Sequence, residues 1–134
     1  MSVWTVPNHQ TMLRDKRVLV VEDEAIVAML VEDELIESGA KVIGPASSVE
    51  EALRLIEGAA PDGGLSVAVL DIHLDGERVS PVADRLAALG VPFLFATGYG
   101  EGCDTGGHDA PVLRKVFHPA ALITALKVLA SPSR

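Results

Sequence analysis

The sequence predicts an α/β fold in which a parallel sheet is wound by helices on both faces. Three observations carry this. Beyond the first ~14 residues, short apolar runs alternate with segments of helical periodicity. The apolar runs are continuous, as strands covered on both faces must be, instead of alternating with polar residues. Gly, Pro or acidic residues punctuate them. A length of 134 residues fits one domain with a proper core, so residues 1–14 are read as an N-terminal extension and 15–134 as the domain.

The elements follow in order. Arg17-Val18-Leu19-Val20-Val21 reads as a buried strand that stops at Glu22-Asp23-Glu24. Ile26, Val27, Leu30, Val31 and Leu35 recur at helical spacing, with Glu32, Asp33, Glu34 and Glu37 between them; this predicts an amphipathic helix with an acidic outer face, ended by Ser38-Gly39. Lys41 to Ala46 is a short strand whose Pro45 places it at a sheet edge or marks its exit. Ser48 and Glu51 form a capping-box pattern for a helix through Ala52, Leu53, Leu55 and Ile56, broken by Pro61-Asp62-Gly63-Gly64. Val67-Ala68-Val69-Leu70 is a third strand ending at Asp71, and Asp75-Gly76-Glu77 predicts a loop. Ala83, Leu86, Ala87 and Leu89 define a helix closed by Gly90, with Pro81 in its first turn. Val91 to Ala96 is the fourth strand, ending at Thr97-Gly98. Tyr99 to Asp109 holds four glycines and predicts a loop or a short helix. Val112 to Lys115 is the fifth strand, and Ala120 to Leu129 a final amphipathic helix.

Composition excludes several function classes. Hydrophobic residues are 49% and aromatic residues only 4%, so the core is aliphatic. A net charge of −8 argues against binding to nucleic acid or anionic membranes. The N-terminus lacks the basic start and apolar run of a secretory signal, and no apolar run is long enough to span a bilayer, so a cytoplasmic location is expected. Cys103 is the only cysteine, which excludes an intramolecular disulfide and a thiolate cluster within the chain. His9, His73, His108 and His118 show no metal-binding spacing.

Ligands of open parallel sheets bind outside the carboxyl ends of the strands. Glu22-Asp23, Asp71, Thr97 and Lys115 all map to such ends. Three carboxylates gathered there repel one another, by about 4 kcal/mol for a pair about 4 Å apart at an effective dielectric near 20. A cation relieves this, and an oxygen-only donor set suits Mg²⁺, which also expects a phosphate in its shell. Asp71 is then the expected nucleophile toward a phosphoryl group, with Thr97 and Lys115 as partners for the phosphoryl oxygens.

The segments Val18-Leu19-Val20-Val21-Glu22-Asp23-Glu24, Val69-Leu70-Asp71-Ile72-His73-Leu74, Ala96-Thr97-Gly98 and Lys115-Val116-Phe117 resemble the signature segments of response-regulator receiver domains of two-component systems. The resemblance spans about residues 17 to 130. It implies a flavodoxin-like five-stranded sheet of order 2-1-3-4-5, with a fourth helix that is short or irregular here. It also implies direct Mg²⁺ ligation by Asp23, Asp71 and the His73 backbone carbonyl, with Glu22 acting through water. Asp71 would be the phosphoacceptor, Thr97 the switch hydroxyl and Lys115 the phosphate-contacting lysine. Phe95-Ala96-Thr97-Gly98-Tyr99 looks like the motif of the "FAT GUY" subgroup, which includes single-domain regulators and the general stress response regulator of alphaproteobacteria.

The chain departs from that pattern in places. Val116 stands where receivers usually carry a proline joined by a cis peptide, which bears on the pose of Lys115; Arg114 beside it is a rival that strand alternation sends to the opposite face. Val112 occupies the usual aromatic switch position, and Tyr99 is available for a related role. The sequence ends soon after its last predicted helix, so the expectation is a regulator without an output domain, not an enzyme beyond accepting and shedding its own phosphoryl group. It would be a monomer or weak homodimer, served by a histidine kinase or histidine phosphotransfer protein, with the acidic first helix as a docking face. Two other readings stay open: a small Mg²⁺-dependent phosphatase with an aspartyl-phosphate intermediate, and a receiver-like module that only binds partners.

Overall fold

In a computed structural model of the chain, the described residues are 12–59, 64–74, 76–98, 105–115 and 117–131. The expectations for residues 1–11, Asp75, Tyr99, Cys103 and the Lys115–Val116 peptide lie outside them.

The predicted strands form one parallel sheet. They are β1 (Arg17–Val21), β2 (Lys41–Ala46), β3 (Val67–Asp71), β6 (Phe93–Thr97) and β7 (Val112–Arg114), in the order β2-β1-β3-β6-β7. Two further strands, β4 (His73–Leu74) and β5 (Glu77–Arg78), make a separate antiparallel hairpin where a loop was expected. With this hairpin left out of the count, the order is the doubly wound 2-1-3-4-5. Among the described residues the helices are α1 (Ala25–Glu37), α2 (Val49–Ala59), α3 (Ser80–Ala88) and α4 (Pro119–Ala130). Residues 105–111, part of the segment expected to be a loop or short helix, carry no helix.

Side-chain alternation along each strand builds two cores. On one face Leu19, Val21, Ala68, Leu70, Phe93 and Phe95 pack with Ala52 and Ile56 of α2 and with Val82, Ala83 and Leu86 of α3. On the other, Val18, Val20, Val67, Val69 and Leu94 pack with Val31 and Leu35 of α1 and with Leu122, Ile123 and Leu126 of α4. Every residue of β3 and β6 is buried, which accounts for their continuous apolar runs. Leu13 is fully buried in the second core, and its N–H donates to the Ser38 carbonyl, tying the chain's entry to the end of α1.

Three local expectations change. The fourth strand begins at Phe93, and Val91-Pro92 lead into it. In the capping box, Ser48 Oγ accepts the Glu51 N–H as predicted, but the Glu51 carboxylate reaches back one residue further, to the Ser47 N–H at 2.9 Å. The largest change is in α1. Its buried residues are Ala28, Val31 and Leu35, whereas Ile26 and Leu30, read as part of the inward stripe, are 71% and 60% exposed. The sheet accepts only a narrow face of α1, and Ile26, Met29 and Leu30 form a separate apolar patch at helical spacing on its amino-terminal half.

Edge strand β2 approaches β1 closely at Gly44. Gly44 has φ +103°, and a Cβ there would stand 2.9 Å from the Val20 carbonyl oxygen. Only glycine lets β2 lie this close to β1, where the pairing register shifts between Leu19 and Val21.

Candidate phosphoryl and metal site

The sheet register brings the chemistry-bearing residues level. Val21 pairs with Leu70, and Asp71 with Ala96, so Glu22, the residue after β1, emerges beside Asp71. Ala96 pairs with Leu113 and Thr97 with Arg114, which places Lys115 one step beyond the end of β7. The Lys115 N–H continues the ladder to the Thr97 carbonyl at 2.8 Å. Alternation then separates the two basic neighbours: Arg114 is exposed, while the Lys115 side chain turns inward and is 13% exposed.

Lys115 Nζ lies 3.0 Å from Glu22 Oε1, 3.0 Å from Glu24 Oε1 and 3.2 Å from Asp71 Oδ2. Asp71 Oδ1 accepts the His73 N–H at 3.2 Å, and Glu22 Oε2 accepts the Glu24 N–H at 3.1 Å. Both oxygens of Asp71 are thus held, which fixes its carboxylate plane. A cavity of about 310 Å³ opens above it, lined by Asp23, Glu24, Asp71, His73, Gly76, Gly98 and Lys115. Thr97 is fully buried at the end of β6, with Gly98 on the cavity wall. The structure therefore brings Glu22, Asp23, Asp71 and Lys115 together and puts the Thr97 side chain in the protein interior. The His73 side chain is exposed, and its residue meets Asp71 through the backbone N–H.

Burial pushes the Glu22 carboxyl up to about 7, and its hydrogen bond with Asp71 adds to the rise. Burial also raises Asp71, against the lowering pull of its hydrogen bonds and of Lys115. For Lys115, burial alone would lower the ammonium, but the carboxylates of Glu22, Glu24 and Asp71 outweigh it and hold the group above its ordinary value. One ammonium contacts three acidic side chains, and Asp23 lines the same cavity, so ionising all four leaves uncompensated negative charge.

That surplus fits a hard divalent cation. Glu22, Asp23 and Asp71 each offer one oxygen, and these oxygens lie within 4.8 Å of one another. An oxygen-only set with two buried members and one half-buried suits Mg²⁺. A pH prediction follows for metal-free protein. Between about 4.5 and 7 the folded chain keeps a proton on Glu22 that the unfolded chain has lost, so stability should fall as pH rises through this window. After allowance for solvent screening, the expected loss is about 2 kcal/mol. Urea unfolding in chelator at a series of pH values measures it, and millimolar Mg²⁺ should cancel the fall. A flat profile in chelator would contradict the assignment.

One participant had no role assigned from the sequence. In the sequence Glu24 is only the last acid of the Glu22-Asp23-Glu24 run, yet it contacts Lys115. The run itself was the available signal: a third consecutive acid at a strand end is within side-chain reach of whatever cation serves the first two.

No protein-family model matches the chain. Its sequence is 33% identical over 106 residues to the phyllosphere-induced regulator PhyR of Methylorubrum extorquens, a match covering 77% of this chain and 39% of that relative's length. Among solved structures, SdrG from Sphingomonas melonis Fr1 is 38% identical with a TM-score of 0.72, covering 87% of this chain and 98% of SdrG. The response regulator PhyR from Brucella abortus is 28% identical with a TM-score of 0.70, covering 88% of this chain and 50% of that one. No described helix is long and apolar enough to cross a membrane. Given this sheet order, the acidic pocket at its carboxyl edge and a relative matched over almost its whole length, the chain belongs to the response-regulator receiver family.

Proposed function

We propose that residues 15–134 act as a phosphoacceptor receiver in which Asp71 takes a phosphoryl group from the phosphohistidine of a histidine kinase or phosphotransfer protein. The observation that carries this reading is the Asp71 carboxylate itself: buried, fixed by the His73 N–H, 3.2 Å from Lys115 Nζ, and open to a cavity with room for a phosphoryl group.

An oxygen of Asp71 attacks phosphorus, the N–P bond of the donor breaks, and the imidazole leaves with its electron pair. Asp23, Asp71 and the His73 carbonyl would hold Mg²⁺ directly, with Glu22 acting through water, and the ion would supply positive charge against the phosphoryl oxygens. Lys115 moves one N–H from the Asp71 carboxylate to a phosphoryl oxygen, so its charge stays paired through the transfer. Thr97, at the end of the strand next to Asp71, is the hydroxyl that reports the new group to the rest of the fold.

The donor protein docks over the amino-terminal half of α1. The exposed patch of Ile26, Met29 and Leu30 stands beside the pocket and supplies the apolar anchor that the acidic residues of this helix lack. The Phe95-to-Tyr99 motif supports placement in the FAT GUY subgroup, and the protein works in the cytoplasm as a monomer or weak homodimer, signalling by contact with other proteins.

The test is labelling with a small phosphodonor and Mg²⁺. Wild type should take up close to one phosphoryl group per chain in a base-labile linkage. Asp71→Asn should take up none, a loss of more than about a hundredfold, because an amide cannot form an acyl phosphate. Equal label on the variant would overturn the assignment. Turnover of an aryl phosphate far beyond one equivalent would replace it with a phosphatase that uses the same aspartate.

A further inference from the structure

Lys115 is shared among three carboxylates, and they are not equivalent. Glu22 and Asp71 belong to the metal-binding triplet of oxygens; Glu24 does not. Glu22 and Asp71 are almost fully buried, whereas the Glu24 side chain is 63% exposed. Glu24 is also the N-cap residue of α1, and its side chain makes no capping hydrogen bond. Glutamate is not among the residues that favour this capping position, so its longer side chain is left to turn elsewhere. Here the carboxylate is instead 3.0 Å from Lys115 Nζ.

An ammonium has three N–H donors, and in this arrangement each faces a carboxylate. When a metal claims Glu22 and Asp71 and a phosphoryl group is added to Asp71, two of those contacts are surrendered to the new ligands. The Glu24 contact has no such successor, and it holds the ammonium against the start of α1.

We propose that Glu24 is a positioning residue that tethers Lys115 and competes with the phosphoryl group for it, limiting how firmly this receiver holds its activated state. The proposal rests on the phosphoacceptor reading of Asp71 and adds a residue to it. It makes the acid after Glu22-Asp23 a determinant of anion affinity, opposite in sign to the lysine it contacts.

The experiment uses the full chain with Mg²⁺ and beryllofluoride, an analogue of the acyl phosphate, and reads affinity by calorimetry. Glu24→Gln should bind beryllofluoride about three- to fivefold more tightly than wild type, the scale of one exposed ion pair. In a Lys115→Gln background the same substitution should change nothing, because a tether needs its lysine, whereas a general field effect of removing one negative charge would persist. An unchanged or weaker affinity for Glu24→Gln, or a gain that survives loss of Lys115, overturns the proposal. Failure of wild type to bind the analogue would instead sink the phosphoacceptor reading. A second measurement does not depend on the anion: hydrogen exchange of the Lys115 ammonium, followed by nitrogen-15 NMR in chelator, should be faster in Glu24→Gln. Equal exchange in the two proteins also overturns the tether.

Discussion

Lys115→Met is expected to destabilise the metal-free protein by about 3 kcal/mol at pH near 8 and by about 1 kcal/mol or less at pH near 5. Methionine keeps the volume of the stem, so the loss is one of charge. Without the ammonium, Glu22 and Asp71, exposed by only 6% and 3%, sit beside Glu24 and Asp23 with no positive partner among the contacts described for them. At low pH the pair escapes by taking up protons, which the burial-raised Glu22 already favours. As pH rises the unfolded chain ionises first, and the folded state must either hold protons or carry unpaired buried charge; stability therefore falls with pH more steeply than in wild type. Millimolar Mg²⁺ should return most of the loss. Urea denaturation at the two pH values, with and without metal, gives the comparison. An equal loss at both would mean that the ammonium does not act through the ionisation of these carboxylates.

Phe95→Ala is expected to cost about 3–5 kcal/mol, a large part of the roughly 5–15 kcal/mol typical of a whole domain. Phe95 is fully buried in the core under α2 and α3 and meets Phe93 edge to face with ring centroids 5.5 Å apart. Apart from Phe93, the buried residues of this core are aliphatic or small, and the strands either side leave little freedom for them to close the void. Ile26→Ala is the control: a side chain 71% exposed should change stability by less than about 0.5 kcal/mol. Thermal unfolding of both variants separates the two environments, and similar losses would contradict the burial described for α1.

The contrast between those two residues shows how far the sequence could be read. Phe95 lies in a continuous apolar run bounded by turn residues, a pattern that specifies a strand covered on both faces whatever surrounds it. The same signal located β1, β3 and β6, and with them the strand ends that carry Glu22, Asp71 and Thr97. Ile26 and Leu30 lie at helical spacing with Val27 and Val31, and spacing alone gives a stripe without saying how wide a stripe the sheet will accept. Ala28, small and unremarked in the pattern, is buried in α1 instead. The hairpin of His73–Leu74 with Glu77–Arg78 was equally hidden, because two-residue strands are too short to show a period.

By itself the sequence determined the fold class, the parallel sheet, and the acids, hydroxyl and lysine standing at its carboxyl edge, since these follow from local apolar periodicity and from which residue ends each run. Only the tertiary structure decided which of those groups touch. The register that sets Glu22 beside Asp71, the pairing that puts Lys115 level with the end of β6, and the contact between Glu24 and Lys115 all depend on how strands distant in sequence align. Such distances are set by long-range pairing and burial, and no local pattern records them.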